Sequence, residues 1–320
     1  MTKKLADNLY SFRIGLGKSP LGWLNCYVIK DPKSGRNLMV DSGFNTPQCL
    51  KDLQEGMEEL ELRPEDTDVF FTHCHFDHLG NAENLQNMGC RLMIGRKEYE
   101  FYVSKPWIRQ IADSVKDGVP EDLRESMSAR KGMPGEFKAD TLEEGDVLNY
   151  GGYSLRCILT PGHSPGHMCL YDPNSKLMIS GDHVLFDISP NITYIEGEDM
   201  LNDYLNSLEK VLHFDVERAL PGHRGMSGKS FKGRVNELLR HHAARLDEAE
   251  RVISSADHMC AYEAASHMTW AIRANGWEDF PINQKWYATG ETLAHLVYLH
   301  SHGRLENYTD DRGLSEYRHL

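Results

Sequence analysis

Short apolar runs of strand-like composition dominate the chain up to Gly225, and helical spacing dominates after it. Leu9–Leu16, Gly22–Ile29 and Asn37–Gly43 read as strands, with a turn at Asp31–Gly35 between the second and third. Leu50, Leu53, Met57 and Leu60 recur at helical spacing, so Gln48–Leu60 is expected to be a helix. Thr67–Phe71 reads as a buried strand, Gly80–Leu85 as the first turns of a helix, and Arg91–Gly95 as the next strand. A second strand-rich run follows at Asp146–Leu148, Tyr153–Thr160, His167–Tyr171 and Lys176–Ser180.

Residues 97–140 break this rhythm. They read as a helical insert with Tyr99, Phe101, Tyr102 and Trp107 near its start and turn signals at Gly118–Pro120 and Gly132–Gly135. Such an excursion is either a binding lid or an insert packed on the core. Further on, Val235, Leu238, Leu239, Ala243, Leu246, Ala249 and Ile253 make the apolar stripe of one long helix. Two more helices are expected at Ala261–Ala274 and Thr289–His302, and Arg304–Arg318 reads as a small β-hairpin. The expected division is therefore a first domain at 1–230 and a helical, winged-helix-like module at 231–320.

Composition narrows the class. A chain of 320 residues is long enough for one large domain plus an appendage. Its 40% hydrophobic and 26% charged residues are those of a soluble globular protein. The net charge of −13 argues against broad electrostatic binding to nucleic acid. No apolar run approaches the roughly 20 residues that cross a bilayer, so no membrane partner is expected. Met1–Asn8 lacks the apolar core of a signal peptide. The seven cysteines are scattered and show no disulfide-framework spacing, so a cytoplasmic location is expected.

The chemistry concentrates in Thr72-His73-Cys74-His75-Phe76-Asp77-His78-Leu79-Gly80, on the expected strand-to-helix loop. In extended chain, residues two apart face the same way. His73 and His75 can then reach one point, while Asp77 and His78 turn onto the next. Imidazole nitrogen and carboxylate oxygen are zinc-type ligands, and four of them on one loop point to two adjacent metal ions. Cys74 should face away and reads as packing. Three further strand ends each offer one ligand in a turn made pliable by glycine: Thr160-Pro161-Gly162-His163, Ser180-Gly181-Asp182 and Leu220-Pro221-Gly222-His223.

Together, Thr72–Gly80, His163, Asp182 and His223 resemble the metallo-β-lactamase-fold hydrolase superfamily, and the resemblance spans Leu9–Gly225. It implies an α/β fold, a four-layer αββα sandwich with the site along one edge of two sheets. It also implies that His73, His75 and His163 bind one metal ion, that Asp77, His78 and His223 bind a second, and that Asp182 bridges them. Asp77 and Asp182 are the expected catalytic carboxylates. Asp41 matches the family's early strand-end Asp and would orient the metal loop. The expected cofactors are two divalent ions, zinc first, with iron and manganese as alternatives because such ligands suit all three.

Choices within the family follow from single positions. Enzymes that open β-lactams typically carry Cys where this chain has Asp182, so antibiotic hydrolysis is not the expected main role. The stretch Gly162–His167 is similar to the glyoxalase II and thioesterase branch, and the C-terminal module resembles that of members related to lactamase-β-like protein 2. The expected reaction is attack of metal-bound hydroxide on an ester, thioester or lactone carbonyl. The alternative is phosphodiester or RNA hydrolysis. A winged-helix regulator is the least favoured, because Ala288–His295 is not basic. A small-molecule substrate is expected, with Lys105, Arg109 and Lys116 a weak sign that it is anionic, and a homo-oligomer is compatible. His167 reads as a supporting or core residue; His183 reads equally as near substrate or packed.

Overall fold

The computed structural model describes residues 1–128, 134–225 and 228–320. Of the expected turn at Gly132–Gly135, Gly132 and Met133 lie outside the described residues. The chain divides into two compact units. The first comprises Met1–Val103, Lys131–Pro190 and Ser207–Val235.

Its larger sheet has seven strands in sequence order: β1 (Lys3–Ala6), β2 (Leu9–Gly15), β3 (Trp23–Ile29), β4 (Asn37–Val40), β5 (Thr67–Phe71), β6 (Arg91–Gly95) and β7 (Asp140–Leu142). The strands β1 to β4 pair antiparallel, and β4 to β7 pair parallel. Every residue of β5 is buried, as expected for a central strand of a parallel sheet covered on both faces. The second sheet contains β8 (Val147–Tyr150), β9 (Tyr153–Leu159), β10 (Met168–Asp172), β11 (Leu177–Gly181) and β12 (Arg218–Pro221), ordered β12-β11-β10-β9-β8. Only the β11–β12 pairing in it is parallel.

One apolar cluster joins the sheets. Leu9, Ile29, Val40, Phe70 and Met93 of the first pack with Leu155, Cys157, Leu170, Ile179 and Leu220 of the second. Two sheets sharing one core are a sandwich, and helices pack on the larger sheet. Helix α1 (Pro47–Glu59) starts where the Thr46 side chain accepts the Cys49 N–H at 3.3 Å, with Pro47 in the first turn. It lies so close to β2 that a Cβ on Gly56 would sit 2.5 Å from the Phe12 ring. Helices α2 (Phe76–Leu79), α3 (Ala82–Met88) and α4 (Arg96–Ser104) follow. The helix expected from Gly80 is in fact two pieces, the first of them inside the histidine motif. The fold is the mixed α/β sandwich that the sequence implied.

The second unit comprises Ser104–Arg130, Asn191–Asn206 and Asn236–Leu320. It contains α5 (Pro106–Asp113), α6 (Glu121–Ser128), α9 (Ala261–His267) and α10 (Ile282–Ser301), with parts of α7 (Met200–Val211) and α8 (Phe231–Ile253). A small sheet, ordered β13-β15-β14, is built from β13 (Met259–Cys260), β14 (Leu305–Thr309) and β15 (Ser315–His319). The last two form the expected hairpin.

Three expectations change here for physical reasons. The buried stripe of α8 does not include Ala243, which is exposed; it includes His242 and Arg245, 0% and 7% exposed. His295 Nδ1 donates to the Glu291 carbonyl at 2.7 Å, and its Nε2 lies 3.2 Å from His242 Nδ1. Arg245 donates to the Thr269 carbonyl at 2.8 Å and lies over the Trp270 ring. Helix α9 stops at His267 rather than Ala274, because Thr269 N–H donates to Glu248 at 2.7 Å and Trp270 Nε1 donates to Ala265 O at 2.8 Å. Helix α10 begins seven residues earlier than expected, directly after Pro281.

All seven cysteines are buried free thiols. No helix among the described residues is long and apolar enough to cross a membrane.

Candidate metal centre

The chain leaves β5 at Phe71 and turns into α2, carrying His73 and His75 before the helix and Asp77 and His78 on it. His163 follows β9, Asp182 follows β11 and His223 follows β12. Because β11 and β12 run parallel, their C-terminal ends open on the same edge, and Gly222 N–H donates to Gly181 O at 2.8 Å. A Cβ on Gly222 would collide with Asp182 Oδ1 and sit 2.9 Å from His78 Cε1. The glycine expected as turn chemistry is therefore also required by the close approach of a carboxylate.

All seven candidate residues converge. The ligand-type atoms of His73, His75 and His163 lie within 4.8 Å of one another, and so do those of Asp77, His78 and His223. His73 Nε2 and His75 Nδ1 are 3.0 Å apart. Asp182 faces both groups: its Oδ2 lies 3.7 Å from His163 Nε2 and 3.3 Å from His223 Nε2, and its Oδ1 lies 3.5 Å from His78 Nε2. Asp77 Oδ2 is 3.3 Å from His223 Nε2.

Partners on the far side of each ring fix which nitrogen faces inward. His223 Nδ1 lies 2.9 Å from the Trp23 carbonyl, which can only accept, so Nδ1 carries the hydrogen. His78 Nδ1 lies 2.8 Å from Asp41 Oδ2 and is a donor for the same reason. The neutral tautomers thus turn two Nε2 lone pairs toward each other at 3.1 Å. Thr72 Oγ1 gives its hydrogen to Asp41 Oδ2 at 2.9 Å and accepts from His73 Nδ1 at 3.0 Å. His73 Nε2 then also points a lone pair inward.

This arrangement fits divalent metal ions. Its donors are nitrogen and oxygen, the neutral tautomers aim Nε2 lone pairs at one point, and the buried Asp182 Oδ1 has no hydrogen-bond partner among the described residues. The electrostatics agree. Burial presses His223 down, but Asp182 and Asp77 overcome it and raise this imidazole to about 10. Burial likewise disfavours charge on His78, and Asp41 and Asp182 hold it well above its ordinary value. Burial works to raise the two acids, yet the neighbouring His223 and His78 keep both Asp77 and Asp182 below the usual carboxylate range. The carboxylates therefore attract positive charge to this spot.

Three supports escaped the sequence reading. Thr72 couples Asp41 to the motif. The Trp23 carbonyl holds His223. Glu98, fully buried on α4, accepts the Cys74 N–H at 2.7 Å with Oε1 and the Gly166 N–H at 2.6 Å with Oε2. One carboxylate thereby ties the loop of His73 and His75 to the loop of His163. No spacing rule links positions 98, 74 and 166; only the fold does. Cys74 is packed, as expected, and His167 is a support: Asp182 N–H donates to its Nε2 at 3.2 Å, and its Nδ1 lies 2.8 Å from Thr160 Oγ1. His183 is fully buried, and burial lowers it to about 3.

Known proteins are similar to this chain. The chain has 26% identity to a beta-lactamase domain protein from Burkholderia ambifaria, with a TM-score of 0.86 over 100% of this chain and 94% of that one. It is 30% identical over 212 residues to the acyl-coenzyme A thioesterase MBLAC2 of Homo sapiens, covering 59% of this chain and 70% of that protein. It is 26% identical over 225 residues to the probable polyketide biosynthesis zinc-dependent hydrolase PksB of Bacillus subtilis (strain 168), covering 69% of this chain and 81% of that one. Residues 24–223, which run from the strand beside the site to the last of its histidines, match the metallo-beta-lactamase superfamily, and the chain belongs to that superfamily as a metal-dependent hydrolase.

Proposed function

We propose that the protein is a dinuclear hydrolase of carboxylic esters and thioesters, with lactones as the cyclic variant of the same bond. The observation that supports the dinuclear reading is Asp182, whose Oδ2 lies 3.7 Å from His163 Nε2 of one histidine group and 3.3 Å from His223 Nε2 of the other. His73, His75 and His163 would hold one ion, and Asp77, His78 and His223 the other, with Asp182 between. Zinc is the first choice, supported by similarity to a probable zinc-dependent hydrolase, since the imidazole and carboxylate ligands by themselves suit iron and manganese as well. Bound divalent ions supply a polarised carbonyl and water of lowered pKa.

The protein's own groups do the rest. Asp77, the more exposed of the two cluster carboxylates at 13%, stays ionised and accepts a hydrogen bond from the attacking water, aiming its lone pair at the carbonyl carbon. Asp182 stays ionised and keeps the two histidine groups at fixed separation. Asp41, Thr72 and the Trp23 carbonyl hold the imidazole hydrogens on the outer nitrogens. Similarity to an acyl-coenzyme A thioesterase supports the thioester choice.

The test is a panel on metal-analysed protein: acyl thioesters, aryl esters, lactones and bis(p-nitrophenyl) phosphate. Thioester or ester turnover that disappears with chelation and returns with zinc is expected. Turnover of the phosphodiester alone would overturn the carbonyl assignment. A metal content that stays near one ion per chain under metal excess would overturn the dinuclear one.

A further inference from the structure

A cavity of about 220 Å³ lies within the second unit, and none of the seven metal-cluster residues lines it. Its size exceeds the roughly 150 Å³ cavity that holds a benzene ring in an engineered protein. Its walls are α5 and the turn after it, the segment 193–196, and one face of α10.

The sequence builds this space deliberately. Gly290 sits in the middle of α10, where glycine costs about 1 kcal/mol relative to alanine. Its carbonyl accepts the Tyr194 N–H at 3.3 Å, and a Cβ would press on Thr193 at 3.2 Å, so the glycine lets 193–194 come close to the helix. The Gln110 side chain donates to the Tyr194 carbonyl and ties the same segment to α5. Val119, Leu293 and Trp286 supply apolar wall.

Three acids line the cavity, Asp113, Asp117 and Glu196, and of these Asp117 is the buried one. It is 6% exposed and accepts no hydrogen bond among the described residues. Burial raises it to about 7, although Lys116 pulls the other way. The other charges at the cavity are already matched. Lys116 pairs with Glu196 at 3.3 Å, and Arg109 pairs with Asp113 at 3.1 Å and with Glu196 at 3.5 Å. The turn that presents Asp117 is fixed, because Gly118 takes φ +80° and leaves no room for a Cβ beside the Cys260 sulfur. Neither Asp117 oxygen is sealed from the cavity, so a mostly buried carboxyl with no protein donor among the described residues is open to a donor that enters there.

We infer that this cavity is a second ligand site, taking a small organic amine whose apolar body packs on Trp286 and Leu293 and whose ammonium group donates to Asp117. An anionic ligand is disfavoured, since it would meet Asp117 while both cations that line the cavity among the described residues, Arg109 and Lys116, are already paired. The site is thus opposite in charge preference to the anionic substrate that the sequence suggested, and it stands whether or not the thioester reading does.

The experiment uses the full, metal-loaded chain and calorimetric titration with 2-phenylethylamine and with 3-phenylpropionate, its size-matched anion. Saturable one-to-one binding of the amine is expected, with the anion weaker by on the order of tenfold or more. Asp117→Asn keeps the shape and removes the charge; it should weaken the amine by a similar factor at unchanged metal content. That last control matters because an amine can also ligate a metal ion. The inference fails if the amine shows no saturation up to about 10 mM. It fails equally if Asp117→Asn binds the amine as well as the parent, or if 3-phenylpropionate binds as tightly as the amine.

Discussion

His78 Nδ1 and Asp41 Oδ2 are 2.8 Å apart, and this contact decides which nitrogen of His78 faces the cluster. The same oxygen takes the Thr72 hydroxyl, and Oδ1 takes the Thr72 N–H at 2.9 Å. Asp41 does this from a backbone with φ +63°, a region that Asp and Asn tolerate better than most residues. Asp41→Asn therefore keeps the backbone and loses the charge. Metal affinity of the site is expected to fall by roughly 10–100-fold, measured by competition with a chromogenic chelator. An affinity equal to the parent's would remove Asp41 from the site.

Glu98→Gln tests the tie between the two metal-bearing loops. A glutamine offers one oxygen, so one of the Cys74 and Gly166 N–H groups would face an NH₂ instead of an acceptor. Leaving a buried donor unsatisfied costs about 1–3 kcal/mol. A lower thermal midpoint is expected, together with an altered visible spectrum of the cobalt-substituted protein, because His163 would no longer be held against His73 and His75. A change in midpoint with an identical cobalt spectrum would make Glu98 a matter of stability alone.

Asp182 and His167 differ in what they touch. Asp182 faces both histidine groups, while His167 holds the Asp182 N–H and the Thr160 hydroxyl. Asp182→Ala should lose both metal ions and turnover; His167→Ala should keep most of its metal. Equal metal loss in the two variants, read by elemental analysis, would show that the proposed division of roles is wrong.

Glu291 gives a pH dependence with a definite sign. Burial raises its carboxyl from 4.5 to about 7, with Arg245 at 3.7 Å opposing. A carboxyl raised on folding contributes stability that is complete below the unfolded value and is lost as pH rises through the folded one. The window is therefore pH 4.5 to about 7, and the span corresponds to about 3 kcal/mol at most. Glu291→Gln should match the parent in urea midpoint near the bottom of that window and exceed it above the top. A difference that stays constant with pH would refute this.

The convergence of the candidate residues was legible because each is local in kind. Each follows a strand, and glycine or proline marks most of the turns, so His163, Asp182 and His223 could be picked out without knowing that β11 and β12 are parallel neighbours. Glu98 was not legible. Its partners are backbone N–H groups on two distant loops, and a glutamate at the start of a helix looks like ordinary surface. The α8 stripe misled for a related reason. Counting only apolar residues favoured Ala243, whereas His242 and Arg245 are the buried positions because each finds polar partners inside the second unit. The end of α9 at His267 depends on hydrogen bonds from Thr269 and Trp270 to residues outside any local window. The start of α10 carried a usable signal, Pro281, that the apolar spacing did not register.

The burial of all seven thiols has a practical side. Burial pushes Cys90, Cys157 and Cys169 up to about 12, and none of the seven is more than 8% exposed. A thiolate must form and be reached before it reacts. The folded protein should therefore be silent toward maleimides at neutral pH. A cysteine introduced on any exposed surface position would then accept a fluorophore or spin label by itself, with no native cysteine to remove first.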